Sequence, residues 1–485
     1  MNKITYLIIS WLAFLYGCTV APIYDPPTTE TPIQWKEETP LSNPAPPVSL
    51  WWEVFHDPLL NELEVQTISN NYDLYVSLQK VIEARAMAGV QLANLYPQLN
   101  FNPAFTDSGY DLNAHLPKRI TTLIPPGFRV PNRIFDFEYC LPLNLSYEVD
   151  LWGKLRSQYD FALYSAEAQA EAFQSALLTL TAEVANAYFQ ARALDSQIKY
   201  LKETLITYQE EINFTSSRFK RGLVNFTDVT NAEFEYNTAE AALHDAVRLR
   251  ALQEHMLAVL IGVPPACFTL KYDPLKNPPP EIPPGIPANV LQQRPDIAEA
   301  ERNLAAENQS IGVANAAFFP SLQLTGVLEY SGLTIHDFLS LHTSLWQVGG
   351  NVAQNIFDGG RNLSNLAAAW AQFREASGTY QQQVLTAFQE VEDALNNVAN
   401  QAKQYNSLEK AVQASNKTTN LTRDRYQKGI TFYLDLIYSE RNELNAQVQA
   451  IQVLGARYTS TIQLIKALGG SWEESLQPFP KEPCR

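Results

Sequence analysis

The feature that most constrains this chain is an internal repeat with a single long offset. Four motif positions each have a counterpart 207 residues later (for example 429 − 222): Gly153 and Gly360, Gly222 and Gly429, Asp228 and Asp435, Gly262 and Gly469. Because the offset stays constant from Gly153 to Gly262, no large insertion separates these positions. The sequence therefore predicts two structurally equivalent halves.

Proline-rich segments set the boundaries of the halves. The run from Pro278 to Pro284 contains five prolines, and no regular helix can cross it. We predict a signal peptide at 1–17, a lipidated proline-rich strap at 18–50, a first repeat at 51–277, a linker at 278–287, a second repeat at 288–470 and a tail at 471–485.

Each half carries very long helical patterns. From Lys154 to Arg221 there is no glycine or proline, and alanine, glutamine, glutamate and leucine dominate. At about 1.5 Å per residue such a helix would be on the order of 100 Å long, too long for one globular core. The predicted helices are near 58–96, 154–221 and 227–261 in the first half, and near 295–319, 362–427 and 435–468 in the second.

Two strands are predicted between the first and second helices of each half, near 99–107, 135–148, 321–331 and 344–356. From Phe135 to Tyr147 apolar and polar residues alternate, with aromatic residues at both ends and leucines between. This pattern is typical of a strand with one lipid-facing side. Four strands cannot enclose an aqueous lumen, so the chain must oligomerise, and a trimer would supply twelve. A soluble antiparallel coiled coil would leave the strands unexplained.

The N-terminus has the pattern of an export signal. Lys3 is followed by an apolar run from Ile4 to Tyr16, which is too short to span a membrane, and then by Gly17 and Cys18. This ending resembles a bacterial lipobox, so we predict acylation of Cys18. Thr19 after the cysteine favours sorting to the outer membrane. Acyl chains would anchor the protein by about 0.8 kcal/mol per buried CH₂ group.

Charge and motif content exclude several functions. The formal net charge is −16, which argues against nucleic acid as a partner. The four cysteines are far apart, so no metal site is predicted, although a Cys140–Cys267 or Cys267–Cys484 disulfide stays open. Phosphate-loop, serine-hydrolase and zinc-protease motifs are absent. We predict a protein that is not an enzyme and has no cofactor apart from the covalent lipid.

Several short motifs in a fixed order resemble one known family. They are Trp51-Trp52-Glu53-Val54-Phe55-His56-Asp57-Pro58-Leu59, Asn70-Asn71-Tyr72-Asp73-Leu74, Glu83-Ala84-Arg85-Ala86, Tyr147-Glu148-Val149-Asp150-Leu151-Trp152-Gly153-Lys154, Gln293-Arg294-Pro295-Asp296, Phe319-Pro320 and Phe357-Asp358-Gly359-Gly360-Arg361. The chain is similar over nearly its whole length to the TolC-like outer-membrane efflux channels, in the lipoprotein branch of the OprM and NodT type.

The resemblance implies a mixed α/β membrane protein. Its expected form is a homotrimeric tube, with a twelve-stranded β-barrel in the outer membrane and a long α-helical barrel in the periplasm of a Gram-negative type bacterium. It implies a passive exit channel of a tripartite efflux or export pump, with a periplasmic adaptor and an inner-membrane transporter as partners. The alternative is a periplasmic coiled-coil scaffold or adaptor lipoprotein without a pore.

The resemblance also implies two functional regions near the turns between the long helices. The periplasmic gate would contain Asp228, Tyr433, Leu434, Asp435, Tyr438 and Arg441. The tip that docks the adaptor would contain Arg218, Gly222, Arg425 and Gly429. Six carboxylates from Asp228 and Asp435 of three copies would favour cations. The simpler interpretation is that both aspartates complement a helix N-terminus.

Overall fold

A computed structural model describes residues 19–36, 50–111, 133–283, 293–332 and 344–470. The helices are α1 (Pro58–Asn70), α2 (Tyr72–Ala93), α3 (Lys154–Lys220), α4 (Phe226–Leu260), α5 (Pro295–Ala316), α6 (Arg361–Gln427) and α7 (Tyr433–Ala467). The strands are β1 (Gln98–Phe101), β2 (Ala104–Asp111), β3 (Arg133–Val149), β4 (Ser321–Gly332) and β5 (Ser344–Ala353). Cys18, the signal peptide, Cys484 and the C-terminal tail lie outside the described residues.

Three helices of each half have equal lengths. Helices α3 and α6 have 67 residues each, and α4 and α7 have 35 each. Helices α2 and α5 have 22 residues each. The two halves expected from the offset are therefore present. None of the helices in the described ranges combines the length and hydrophobicity that a membrane-spanning helix needs.

The single helix predicted near 58–96 is two helices, α1 and α2, separated at Asn71. The Asn71 side chain accepts a hydrogen bond from the Leu74 amide (2.9 Å) and donates one to the Leu260 carbonyl (2.9 Å). The first bond is an N-cap for α2, which explains the break. In the second half, the Arg294 side chain, which precedes α5, donates a hydrogen bond to the Ala467 carbonyl at the end of α7 (3.0 Å), as Asn71 does to Leu260 at the end of α4.

The tryptophan motif is structural. Trp51 and Trp52 are buried in a short 3-10 helix, and the Trp51 indole donates to the Thr181 hydroxyl (3.2 Å). Asp57 then caps α1, since its carboxylate accepts from the amides of Leu59 and Leu60 at 3.0 and 3.3 Å. This motif fixes the entry of the chain into the first helix.

The strands form one antiparallel sheet in the order β1-β3-β4-β5, with β2 also paired to β3. The strand predicted over 99–107 is divided into β1 and β2 around Pro103, whose nitrogen has no hydrogen to donate to the ladder. The register continues across the break, since Phe101 pairs with Leu143 and Ala104 pairs with Cys140. The first strand is thus one interrupted strand, and the sheet keeps its four expected positions.

The fourth strand ends earlier than predicted. β5 stops at Ala353, which pairs with Ser321 at the start of β4, and not at Ile356. Pro320 precedes Ser321 and has no amide hydrogen, so the ladder cannot be extended there.

One face of the sheet is apolar and exposed. Register places its exposed members together: Leu99, Phe101, Phe105, Phe137, Leu145, Leu324, Leu328, Trp346, Val348 and Val352. Trp346 and Val348 are 75% and 79% exposed. The opposite face is mainly polar and includes Asn144, Gln323, Thr325 and Gln347. The alternation predicted from the sequence is therefore present, with its apolar side uncovered.

The described residues divide into two compact units. One contains the sheet and the described parts of 1–26, 83–166 and 302–377; the other contains the described parts of 27–82, 167–301 and 378–485. In the second unit the helices approach closely through small residues: Ala185 and Ala191 are fully buried, and a Cβ added at Gly455 would lie 2.8 Å from the Ala193 Cβ. Alanine and glycine allow this spacing because no longer side chain separates the helices.

Candidate functional site

The α3–α4 and α6–α7 turns have the same backbone geometry. Gly222 and Gly429 have φ angles of 71° and 74° and follow the last turn of α3 and α6. The Leu223 amide donates to the Arg218 carbonyl (3.0 Å), and the Ile430 amide donates to the Arg425 carbonyl (2.9 Å). Each turn is a Schellman motif, in which glycine is favoured because it tolerates positive φ. A Cβ would meet no atom within 4 Å at either glycine, so only the φ angle selects it.

Large apolar side chains are exposed at both turns. Leu223 and Phe226 are 62% and 59% exposed at the first turn, and Ile430 and Phe432 are 70% and 83% exposed at the second. Isolated helix ends of a single soluble chain would place polar residues here. These exposed groups are available for contact with another chain.

Of the residues predicted to form the gate, Leu434 and Tyr438 are exposed on α7, at 52% and 56%. Asp435 is exposed, but its carboxylate accepts from the Thr431 hydroxyl and from the Phe432 amide (3.4 Å). Asp228 is partly exposed in the first turn of α4. These contacts of Asp435 agree with the simpler interpretation of a residue that complements the N-terminus of its helix.

Tyr433 is placed differently from the other predicted gate residues, because it is buried. It packs in a cluster with Ala232, Tyr426, Leu436 and Ile437, which joins α4, α6 and α7. Its ring lies 5.2 Å from the Tyr426 ring. Tyr433 therefore stabilises helix packing and does not present its side chain on the exposed face that carries Leu434.

Arg441 joins α7 to α4 through an ion pair with Glu235. The Glu235 carboxylate is largely buried, whereas the guanidinium is partly exposed. The hydrogen bond to the neighbouring Glu235 carboxylate raises the pKa of Arg441. The predicted gate arginine is thus already paired to the other hairpin within one chain.

A second charged group joins the hairpins deeper in the helices. Arg423 on α6 contacts Glu440 on α7 at 2.9 Å and lies 3.5 Å from Glu211 on α3. Glu440 is almost fully buried. Burial, and then the adjacent Glu211 carboxylate, raise the pKa of Glu440 to about 10. Glu440 therefore keeps its proton at neutral pH, and the Arg423 guanidinium lies beside both carboxyl groups.

The residues predicted for the docking tip differ in their contacts. The Arg218 guanidinium donates to the Tyr426 carbonyl (3.3 Å) and lies 5.1 Å from the Tyr426 ring and 5.5 Å from the Phe214 ring. Arg425 is exposed. Arg218 therefore connects α3 to α6, while Arg425 lies on the surface next to its glycine turn.

Sequence reasoning missed Glu211, Glu235, Arg423 and Glu440. Charged residues are frequent on long helices and are usually solvated, so nothing in the sequence alone separates these four from the rest. The repeat offers one signal: Arg423 and Arg441 correspond to Ser216 and Phe234 in the first half, so both arginines are specific to the second.

Comparison with known proteins identifies the family. The family model described as "Outer membrane efflux protein" matches residues 63–263 and 286–470. This chain belongs to the outer membrane efflux protein family. The matched ranges contain most of each half and leave out residues 264–285, which include most of the predicted linker.

Individual relatives match over nearly the full chain. The probable efflux pump outer membrane protein TtgC of Pseudomonas putida is 31% identical, over 95% of this chain and 94% of its own length. The probable outer membrane lipoprotein SilC of Salmonella typhimurium is 29% identical over 98% and 100%. The solved structure of the MtrE outer membrane channel of Neisseria gonorrhoeae, in its open state, has a TM-score of 0.82, with 29% identity over 95% of this chain and 100% of that chain.

Family membership confirms the fold class, the localisation and the general function predicted from the sequence. The chain is an outer-membrane efflux channel subunit, a transport protein and not an enzyme. It combines a small sheet with long paired helices, as its structural relatives do. The scaffold alternative predicted a chain without the alternating strands, and the sheet contradicts it.

Proposed function

We propose that three copies of this chain form a closed duct through which the cargo of an efflux pump leaves the cell. Each copy contributes four strand positions to a twelve-stranded barrel in the outer membrane and its long helices to a periplasmic tube. The observation that carries this proposal is the open sheet with one exposed apolar face.

The edges of the sheet support ring closure. Within the described residues β1 and β2 form one edge and β5 the other, and each edge strand has one paired neighbour in the ladder. Since four antiparallel positions separate the edges, β5 of one copy would run antiparallel to β1 and β2 of the next. Such a head-to-tail interface closes into a ring and removes the free edges. Outer-membrane lipid would then cover the apolar face.

The gate and the docking tip are proposed at the two glycine turns. Leu434, Asp435 and Tyr438 would narrow the aperture, and Arg441 would hold α7 against α4 through Glu235. Arg425 and the exposed apolar residues of the turns would meet a periplasmic adaptor, which links the channel to an inner-membrane transporter. The exposure of Ile430 and Phe432 supports this contact.

The cargo is proposed to be small molecules or ions. Relatives are named as parts of a toluene efflux pump, an antibiotic efflux pump and a cation efflux system.

The first segment of the strap supports the predicted lipid on Cys18. The Val20 carbonyl accepts from Asn315 (3.3 Å) and the Pro22 carbonyl accepts from Asn308 (2.9 Å), so the residues that follow Cys18 are held against α5.

Two adjacent residues of β5 test the barrel. Val348 lies on the exposed apolar face, and Gln347 lies on the opposite face. Val348→Arg would place a charge in lipid, at a cost of about 2–4 kcal/mol per copy near the bilayer centre. We expect this variant to fail to assemble in the outer membrane, whereas Gln347→Arg assembles as trimers with altered conductance. Equal assembly of both variants, or a monodisperse monomer of the wild type in detergent, would contradict the proposal.

The lipid anchor has its own test. Cys18→Ala should abolish fatty-acid labelling of the mature protein while the trimer persists, because the barrel spans the membrane without it. Labelling that persists in the variant would exclude Cys18 as the acylated residue.

A further inference from the structure

A pocket of about 700 Å³ lies at the ends of the helices that adjoin the sheet. Four helices line it: α2 and α5, which lead into β1 and β4, and α3 and α6, which follow β3 and β5. All the lining residues belong to the unit that contains the sheet. Small-molecule sites have volumes of about 300–1,000 Å³. The pocket is therefore large enough for a compact organic molecule.

Each helix lines the pocket with one regular face. The central helices α3 and α5 contribute Gln158, Phe161, Ala162 and Ser165, and Ser310, Val313, Ala314 and Ala317, respectively. Residues three, four and seven positions apart lie on the same side of a helix. The pocket is thus built from the packed faces of helices and not from a loop.

The N-terminal strap shows which side of this helix layer the pocket occupies. Asn308 and Asn315 of α5 donate to strap carbonyls, and a Cβ added at Gly312 would lie 2.6 Å from the Ala21 Cβ. At 3.6 residues per turn, these three α5 positions are about 180° around the helix axis from the α5 positions that line the pocket. The strap and the pocket therefore lie on opposite faces of α5.

In the proposed duct, this arrangement places the pocket on the inner wall. The strap starts beside the sheet, since the Val20 amide donates to the Trp152 carbonyl (3.2 Å) just after β3. It begins at the predicted lipid on Cys18, which has to reach the bilayer around the barrel, so the strap runs along the outside. The opposite face of α5 then faces the lumen. This placement rests on the proposed function.

The chemistry of the lining selects a class of molecule. Eight of the 14 lining residues are apolar, the other six carry amides or hydroxyls, and none is charged, although 18% of the chain is. A charged molecule would lose hydration here without gaining a counter-charge. An uncharged molecule would pack its apolar body against Met87 and Phe161, and its polar end would bond to an amide such as that of Gln158.

We propose that this pocket binds an uncharged, mostly apolar small molecule and is a resting site for cargo on the inner wall of the duct. The cargo class is thereby narrowed to compounds with an apolar body and a polar end. A metal ion would find no carboxylate, imidazole or thiol among the lining residues. Each site is complete within one chain, so a trimer would carry three.

Equilibrium dialysis with 2-naphthol tests the pocket on the purified full-length protein in amphipol, with empty amphipol as the blank. This probe is uncharged at neutral pH. Naphthalene-2-sulfonate and 2-naphthylmethylamine are negatively and positively charged compounds of similar size. We expect saturable binding of one 2-naphthol per chain, and binding of both charged compounds that is at least about tenfold weaker.

Two variants of opposite kind locate the bound probe. Ala84→Trp places an indole in the pocket, and Phe161→Ala removes its aromatic wall. Each should weaken 2-naphthol binding by at least about fivefold. Ala86→Trp is the matched control, because Ala86 is exposed on another face of α2 and should leave the affinity within about twofold of the wild type.

Equal 2-naphthol affinity in the wild type and in both pocket variants would overturn the proposal, as would equal affinity for the charged compounds. Conductance in a planar bilayer separates this result from the proposed function. Channels that conduct but show no binding dependent on Phe161 would exclude the pocket and keep the duct. Binding dependent on Phe161 in a protein that forms no channels would keep the binding site and exclude the duct.

Discussion

The two helical hairpins have the same backbone but opposite charge roles. Hairpin α3–α4 and hairpin α6–α7 have equal helix lengths and the same glycine turn. Yet the first supplies the carboxylates Glu211 and Glu235, and the second supplies the guanidinium groups of Arg423 and Arg441. The two repeats therefore share a backbone but carry complementary charges on their facing surfaces, so that one hairpin can bind the other.

The difference extends to burial. Glu440 is nearly fully buried on α7, whereas its counterpart in the repeat, Glu233 on α4, is exposed. The start of α7 buries Tyr433, Leu436 and Ile437 against the first hairpin. The beginning of α7 is thus an internal contact between the hairpins, and the exposed residues beside it form the surface available to other chains.

The largest expected effect is from Arg423→Ala. This change removes the cation next to Glu440 and Glu211, and loss of one partner of a buried pair costs about 3 kcal/mol or more in unfolding free energy. Ser216→Ala, at the equivalent position of the first hairpin, should change stability by less than about 0.5 kcal/mol. Thermal unfolding in detergent measures both. Equal effects would mean that the charge asymmetry does not contribute to stability.

The pH dependence of stability is the second expectation. The pKa of Glu440 is raised in the folded protein to about 10, so the folded state keeps a proton that the unfolded state releases. Stability should therefore fall as pH rises from about 4.5, the ordinary pKa of a glutamate, towards 10. Glu440→Gln should remove this part of the slope, and Glu233→Gln should not. An unchanged slope in Glu440→Gln would contradict the raised pKa of Glu440.

Of the two predicted docking arginines, Arg218 should mainly affect stability and Arg425 should mainly affect binding of the adaptor. Arg218→Ala loses the contact with the Tyr426 carbonyl and two aromatic rings, which we expect to cost about 1–2 kcal/mol. Arg425→Glu should leave stability within about 0.5 kcal/mol of the wild type but weaken cross-linking to the adaptor. Cross-linking that is unaffected by Arg425→Glu would exclude this residue from the docking surface.

Effects well below that of Arg423→Ala are expected at the glycines. Alanine at Gly222 or Gly429 should destabilise the protein by the same amount. We expect at most about 1–2 kcal/mol, the cost of a positive φ angle for a residue with a Cβ atom. Alanine at Gly378, inside α6 with open space around it, should instead stabilise by about 0.5–1 kcal/mol. Unequal costs at the two turns, measured by thermal unfolding, would show that their environments differ more than their geometry.

The sequence was sufficient for the elements and insufficient for the contacts between them. The glycine spacing and the alternation around Leu143 predicted the repeat and the strands, because both depend on local periodicity. The break at Asn71 was missed: its N-cap bond to the Leu74 amide is local, but the bond that holds the Asn71 side chain to Leu260 comes from a distant helix. The pairing of Arg423 with Glu440 and Glu211 depends on helix packing, which no single-sequence pattern records.

Ion selectivity distinguishes the two interpretations of Asp228 and Asp435, which either line the aperture or only complement the N-termini of their helices. If Asp228 and Asp435 line the aperture, the double alanine variant should reduce cation selectivity in a planar bilayer. If they serve only their own helices, selectivity should stay unchanged while each substitution costs about 0.3–1 kcal/mol of stability. The reversal potential under a salt gradient distinguishes the two.

Single-channel conductance in a planar lipid bilayer tests the central claim most directly, that this chain forms a duct held narrow where the two hairpins meet. We predict a small resting conductance for the wild type, a larger one for Leu434→Ala, and the largest for Arg441→Ala, which releases α7 from Glu235. The equivalent first-hairpin change, Phe234→Ala, should leave conductance near the wild-type level. Identical conductance in all four proteins, or no channels from well-assembled protein, would contradict the account.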